Sequence, residues 1–453
     1  MQAELTAATP IPATALRGRR LGKLVRKALP LFSLAASRGG AILAQFAAQL
    51  AVGAMAGASG LGILQLFTSW TCIAGEALGL GLPTRALRQV AIDYADQRPD
   101  LVAQTLGEAR RKILRVWLWL LAITAIPLAL FIRQEAAAAQ FDYSWLLMGV
   151  LLTAPLFALL RLYAESVKAA GAALPAVTLE NLMSPLALLT VCAICWLVGQ
   201  EVAAITLLVT FGTSVAIASI VLRRVLRQKL ALLQPGKPAA VAAKTVQAPQ
   251  GDLLYLWGTS ILSIGFLHLP FLVMPLYVTT AEIGVYAIAH KLINVVTTVL
   301  LLLAAVYGPA FARSAAQGDT DGLLGSLRRT QLISVAVFLP TALALIALAQ
   351  PLAGLFGEDF GDLQIYLAIL SAGHLINACT GLSGVLLNMA GAARRELTTL
   401  VLALAVAAAC SLWVGPRYGA IGLALVFSAT IALKNLASYA MARHLLKTLE
   451  DKS

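Results

Sequence analysis

The chain has 453 residues, of which 60% are hydrophobic and 12% charged, and its mean hydropathy is +0.84. Soluble globular proteins carry about 25% charged residues, so this composition excludes an ordinary water-soluble domain. The net charge of +13 fits either a nucleic-acid binder or a membrane protein with basic cytoplasmic connections, and only the placement of the charges separates them.

Residues 1–28 read as a polar, basic lead-in carrying Arg17, Arg19, Arg20, Lys23, Arg26 and Lys27. No cleavable signal is expected, because the first apolar run is long enough to remain a span. A spanning helix needs about 20 largely apolar residues. Such runs lie near 31–56, 62–83, 113–132, 144–168, 174–198 and 202–222, forming a first half over 29–224. The stretch 225–252, rich in Pro, Ala, Gln and Lys, reads as a linker. Six further runs follow near 253–278, 284–308, 330–356, 363–390, 396–414 and 419–441, giving a second half over 253–443 and a tail over 444–453. The predicted fold class is therefore an all-α polytopic membrane protein of twelve transmembrane helices. The five cysteines all fall inside apolar runs; Cys192-Ala-Ile-Cys195 has redox spacing, but packing is the simpler reading within a span.

One set of connections carries Arg85, Arg110, Arg111, Lys112, Arg223, Arg224, Arg328 and Arg394 among many others, whereas the opposite set offers only Arg133 and Arg417. This asymmetry places both termini and the linker in the cytoplasm, and the positive charge needs no nucleic acid. The outer connections are short, the longest near 134–143, and none is large enough for an active-site domain. No Walker-type phosphate loop appears, so any work has to draw on an ion gradient, the membrane potential or a substrate's own gradient.

The two halves echo each other. Leu61-Gly62-Ile63 stands over Ile283-Gly284-Val285 when the chain is slid by 222 positions, and Ala170-Gly171-Ala172-Ala173 answers Ala390-Gly391-Ala392-Ala393 at nearly the same offset. Both pairs sit at equivalent hydropathy boundaries, as a duplicated unit requires. Six spans per half makes the two units parallel, related by an axis along the membrane normal.

Several pieces resemble a known family. They are Ala281-Glu282-Ile283-Gly284-Val285-Tyr286-Ala287, Pro309-Ala-Phe-Ala-Arg313, Gly318-Asp319, Arg328-Arg329, Pro351-Leu-Ala-Gly-Leu-Phe-Gly357, Leu386-Leu387-Asn388-Met-Ala-Gly391 and Tyr418-Gly-Ala-Ile-Gly422. In order and spacing they are similar to the polysaccharide repeat-unit (Wzx-type O-antigen) flippases of the multidrug/oligosaccharidyl-lipid/polysaccharide exporter superfamily. The first half matches more loosely, through Gly60-Leu61-Gly62 and Leu80-Gly-Leu-Pro-Thr-Arg85. The resemblance implies two six-helix bundles around a central cavity that opens to either membrane face in turn.

Ionisable side chains inside spans are costly and usually face a cavity. The candidates are Arg38, Glu76, Arg161, Glu165, His268, His290, Lys291, His374 and Lys434. Arg38 either faces the cavity or forms a buried pair with Glu76. Lys434 either faces the cavity or reaches to the cytoplasmic interface. Lys291, with His290 and Asn294, forms a polar stripe suited to sugar hydroxyls and an anionic head group. Arg161 and Glu165, four apart, share a helix face and can pair. Four cations against two carboxylates within the spans favour an anion such as a pyrophosphate, with Arg38, Lys291, Lys434, Arg161, His268 and Asn294 as substrate contacts. Glu76 and Glu165 are the candidates for ion coupling, and Glu76 is otherwise a static partner of Arg38. Pro270 and Pro275 invite a bend in the seventh span, which the superfamily resemblance implies as a candidate gate. Gly53-x-x-x-Gly57 marks close helix packing.

The expected function is translocation of a polyprenyl-pyrophosphate-linked oligosaccharide across the inner membrane, ion-coupled, with no enzymatic chemistry, cofactor or metal, and with a polymerase and export machinery as partners. Multidrug efflux in the same fold, and from another class a membrane-embedded polymerase or ligase, are the alternatives. The second wants a long outer loop that the sequence lacks.

Overall fold

The computed structural model describes residues 13–135, 143–233 and 250–450, with side chains left undescribed for 13–32, 125–135 and a few positions elsewhere. The described chain is helical, as a chain immersed in lipid must be to satisfy its own backbone. The helices are α1 (Ala13–Gly79), α2 (Leu82–Ala95), α3 (Pro99–Glu135), α4 (Tyr143–Ala169), α5 (Ala173–Val198), α6 (Ala204–Ala231) and α7 (Gln250–Val273). A 3-10 turn at Met274–Leu276 leads to α8 (Thr280–Gln317), α9 (Thr320–Ala347), α10 (Ala349–Phe356), α11 (Leu363–Thr380), α12 (Ser383–Met389) and α13 (Ala393–Glu450). Among the described residues nine helices are long and apolar enough to cross a membrane. Two of them contain a break. Gly57 (φ 66°, ψ −174°) divides α1 between the runs expected at 31–56 and 62–83, and Gly419 (φ 57°, ψ −144°) divides α13 between 396–414 and 419–441. Gly57 is thus a kink residue, while Gly53 does provide the close packing, against Phe356.

Two expected runs are divided. The run at 330–356 ends as α9 at Ala347 and restarts as α10, because Pro351 in a continuous helix would meet the carbonyl of Ala347. The run at 363–390 is cut at Gly381, whose φ of 61° and ψ of −143° suit glycine alone. The basic lead-in is helical from Ala13, and most of the expected linker lies outside the described residues.

Helices α1 to α6 pack as one lobe and α7 to α13 as the other. The lobes meet where α1 crosses α8, and this crossing is built on the first sequence echo. A side chain on Gly62 would strike the carbonyl of Thr280, and one on Gly284 would strike the carbonyl of Ala58. Each contact is the image of the other under the 222-residue offset, so a local two-fold axis runs between Gly62 and Gly284. Ser59 and Thr280 hydroxyls share a 2.7 Å hydrogen bond beside it. The second echo is equally physical. Gly171 (φ 75°) and Gly391 (φ 80°) close α4 and α12 in the same left-handed cap, with Ala172 N–H donating to the Val167 carbonyl and Ala392 N–H to the Leu387 carbonyl.

One large apolar core runs through this crossing and joins the lobes, with Leu64, Phe271, Ile283, Tyr286 and Phe360 among its members. Toward the end bearing the basic connections the cores separate. Leu78, Val90, Val102, Ile113 and Leu162 form one within the first lobe, and Phe311, Leu323, Leu386 and Leu446 form another within the second. The lobes thus share one core at one end, while toward the other each also has a core of its own.

Candidate functional site

The interior charges of the first lobe gather on one guanidinium. Arg161 on α4 lies 2.6 Å from Glu180 of α5, 3.3 Å from Glu165 one turn along α4, and 3.7 Å from Glu76 of α1. Lys168 closes the network, 3.1 Å from Glu165 and 2.9 Å from Glu180. The expected Arg161–Glu165 pair is present, but Glu180 is the shortest partner and was missed. A lone carboxylate six residues into the apolar run 174–198 was the signal for it. Three carboxylates against two cations leave this cluster formally one charge negative.

Glu76 pairs with Arg161, so the buried Arg38–Glu76 pair is not formed. Arg38 is exposed, one residue past Ser37, whose hydroxyl hydrogen-bonds Thr178 of α5 at 2.8 Å. Gly39 and Gly40 beside it border open space. No ion pair to Arg38 is found among the described residues.

Helix α8 begins with a reciprocal cap: the Thr279 hydroxyl accepts from Glu282 N–H, and the Glu282 carboxylate accepts from Thr279 N–H. From this fixed start the helix divides the expected polar stripe. Tyr286, His290 and Asn294, spaced four apart, face the interior of the second lobe, where the Asn294 amide lies 3.2 Å from the His290 ring. Lys291, half-buried, is instead within electrostatic reach of Cys72 on α1 and His268 on α7. It too has no ion-pair partner among the described residues. His268 is satisfied across the seam by the Ser69 hydroxyl at 3.0 Å. The same seam is fastened by Trp70 Nε1–H donating to the Phe271 carbonyl and Trp257 Nε1–H donating to the Ala77 carbonyl.

The second lobe encloses a cavity of about 570 Å³ between α7, α8, α11, α12 and α13. Lys434 lines it, as one of its two sequence readings held, but its charge is not free. Its ammonium is hydrogen-bonded to Glu396 of the same α13, which also accepts from the Ser438 hydroxyl at 2.6 Å. Pro270 sits in the cavity wall within an unbroken α7. Pro275 lies beyond the helix in the 3-10 turn, so it shapes the entry to α8 rather than a bend in α7. A second cavity of about 720 Å³, walled by Leu78, Leu120, Leu147, Val150, Leu151 and Trp257, is almost wholly apolar.

The family described as polysaccharide biosynthesis protein matches residues 253–365. No curated protein matches the chain. Among solved structures, an inward-facing multidrug resistance MATE family transporter of the MOP superfamily aligns with a TM-score of 0.68 at 14% identity, over 91% of this chain and 96% of its own. The fold is that of the MOP superfamily. An outward-facing MATE family transporter aligns with a TM-score of 0.59 at 14% identity, over 94% of this chain and 96% of its own. The lipid II flippase MurJ, in an inward closed conformation, aligns with a TM-score of 0.63 at 12% identity, over 90% of this chain and 87% of its own. The chain therefore shares the fold of these transporters, and its segment from α7 to the start of α11 matches the family described as polysaccharide biosynthesis protein.

Proposed function

We propose that this protein flips a polyprenyl-pyrophosphate-linked oligosaccharide across the cytoplasmic membrane, with both termini and the basic connections on the cytoplasmic side. The observation that carries the reading is the distribution of interior charge. Arg161, Lys168 and Lys434 are engaged in ion pairs, whereas Arg38 and Lys291 have no ion-pair partner among the described residues and are available to meet a pyrophosphate. Arg can fork onto phosphate oxygens, and Lys acts as a point charge. The polysaccharide-biosynthesis match over 253–365 includes Lys291.

In this reading the lobes are joined at the outer end through Gly62 and Gly284 and have separate cores toward the cytoplasm, where the Trp257–Ala77 hydrogen bond still links them and Arg38 waits at the mouth. The better superposition on the inward-facing transporter than on the outward-facing one supports that state. The apolar cavity beside Trp257 suits the isoprenoid tail. The excess carboxylate of the Arg161 cluster supports ion coupling, with Glu76, only 4% exposed, holding the longest of the three contacts to Arg161.

The test is a proteoliposome assay with a lipid-linked oligosaccharide, read as the fraction accessible to an external glycosidase. Each lost charge-assisted contact is worth about 1.5–3 kcal/mol, so Arg38→Gln and Lys291→Gln should each slow translocation by about 10- to 100-fold. Neither removes an ion pair, so the melting temperature should hold. Full translocation by the double variant would refute the anion-site assignment. Wild-type protein that moves cationic dyes and no lipid-linked glycan would establish the efflux alternative instead.

A further inference from the structure

The cavity inside the second lobe is chemically unlike the charged sites. Its carboxylate and its ammonium, Glu396 and Lys434, neutralise each other, so it offers neither a free anion for a cation nor a free cation for phosphate. What remains is neutral hydrogen-bonding capacity. Asn377 and Asn388 line the cavity with no partner to their amides among the described residues, and Asn435 has committed only its N–H, to the Ile431 carbonyl. Two buried wall groups are also unsatisfied: both ring nitrogens of His374, a residue 7% exposed, and the hydroxyl of Tyr286, a residue 0% exposed. Buried polar atoms without partners cost about 1–3 kcal/mol each. A concentration of them around a cavity is a defect in a structural core and an asset in a binding site. Phe266 and Phe427 supply apolar faces in the same wall, and the volume falls within the range of about 300–1,000 Å³ common to small-ligand sites.

We infer that this cavity is a glycan-reading subsite, in which Asn377, Asn435 and His374 hydrogen-bond sugar hydroxyls while Phe266 and Phe427 pack on the apolar face of a ring. The inference rests on the flippase reading and deepens it. Pyrophosphate meets Arg38 at the mouth and Lys291 at the seam, and the sugars extend past Asn294 into the second lobe. Selection among cargoes then resides in neutral polar groups and aromatics on α7, α11 and α13, separate from the charges that hold the carrier. A purely structural role for His374 is ruled in or out by the same experiment, since its ring stacks on Phe338 and Phe preserves that packing.

The experiment uses the full chain in nanodiscs and two probes, lipid-linked glycan extracted from the source cells and the same polyprenyl pyrophosphate without sugar. Wild-type protein should bind the glycosylated carrier at least about tenfold more tightly, as one or two good hydrogen bonds allow. Asn377→Leu and His374→Phe should each erase most of that preference and leave the bare carrier bound as before, which also certifies the fold. Equal binding of the two carriers by the wild type, or an unchanged preference in both variants, overturns the subsite while the flippase reading stands. Failure of the wild type to bind either carrier overturns the flippase reading and the subsite with it.

Discussion

Closure of the lobes at one end depends on two glycines that face each other's backbone, and this gives a quantitative test of alternating access. In Gly62→Ala the new methyl group would strike the Thr280 carbonyl oxygen and stand 2.8 Å from its carbon and 3.1 Å from the Gly284 nitrogen. In Gly284→Ala it would strike the Ala58 carbonyl and stand 2.8 Å from its carbon and 3.0 Å from the Gly62 nitrogen. All of these obstacles are backbone and cannot rotate aside, so α1 and α8 have to separate. Overpacking of this kind costs about 1–3 kcal/mol. An outward-open state, in which this crossing parts, does not feel the clash. A shift of about 2 kcal/mol is about thirtyfold in the equilibrium, enough to raise an outward population of about 1% to about a quarter. The assay is electron–electron distance measurement between spin labels at Glu201→Cys and Asp362→Cys, both exposed, after replacement of the five native cysteines. A longer-distance population should appear in Gly62→Ala and grow little on adding Gly284→Ala, because the two changes relieve one contact. A lower melting temperature with an unchanged distance distribution would show that both states need the crossing, and would refute the gate.

Two further outcomes follow from the same packing. Glu180→Gln removes the shortest partner of Arg161 and one partner of Lys168, and should lower the melting temperature well beyond the effect of Glu76→Gln; about 1–3 kcal/mol is expected after allowing for the partial exposure of Arg161. Equal effects would show that the cluster is solvated rather than structural. Gly381→Ala forces a side chain onto a φ of 61° and into Gln331 at 2.8 Å, a cost of about 1–3 kcal/mol, read as a comparable loss of thermal stability; a neutral result would mean that α11 and α12 can rejoin as one helix.

The sequence by itself determined the membrane class, the position of most helices and the duplication. These are properties of hydropathy and of local backbone chemistry, which lipid enforces residue by residue. Gly62 and Gly284, and Gly171 and Gly391, were legible because the two pairs repeat at nearly the same offset, and the structure gives each pair one shared job. The Pro351 break was written in the sequence too, but averaged out of view by the apolar run around it. Partnership was decided only by the tertiary structure. Glu180 and Glu76 come to Arg161 from α5 and α1, and a side chain's ion partner across helices leaves no trace in local spacing. The same holds for α8, where His290 and Lys291 are adjacent in sequence yet a turn of about 100° per residue sends one into the second lobe and the other toward the seam. Which cations are free, and which are already answered, depends on which helix faces them, and that is fixed by how the two lobes pack.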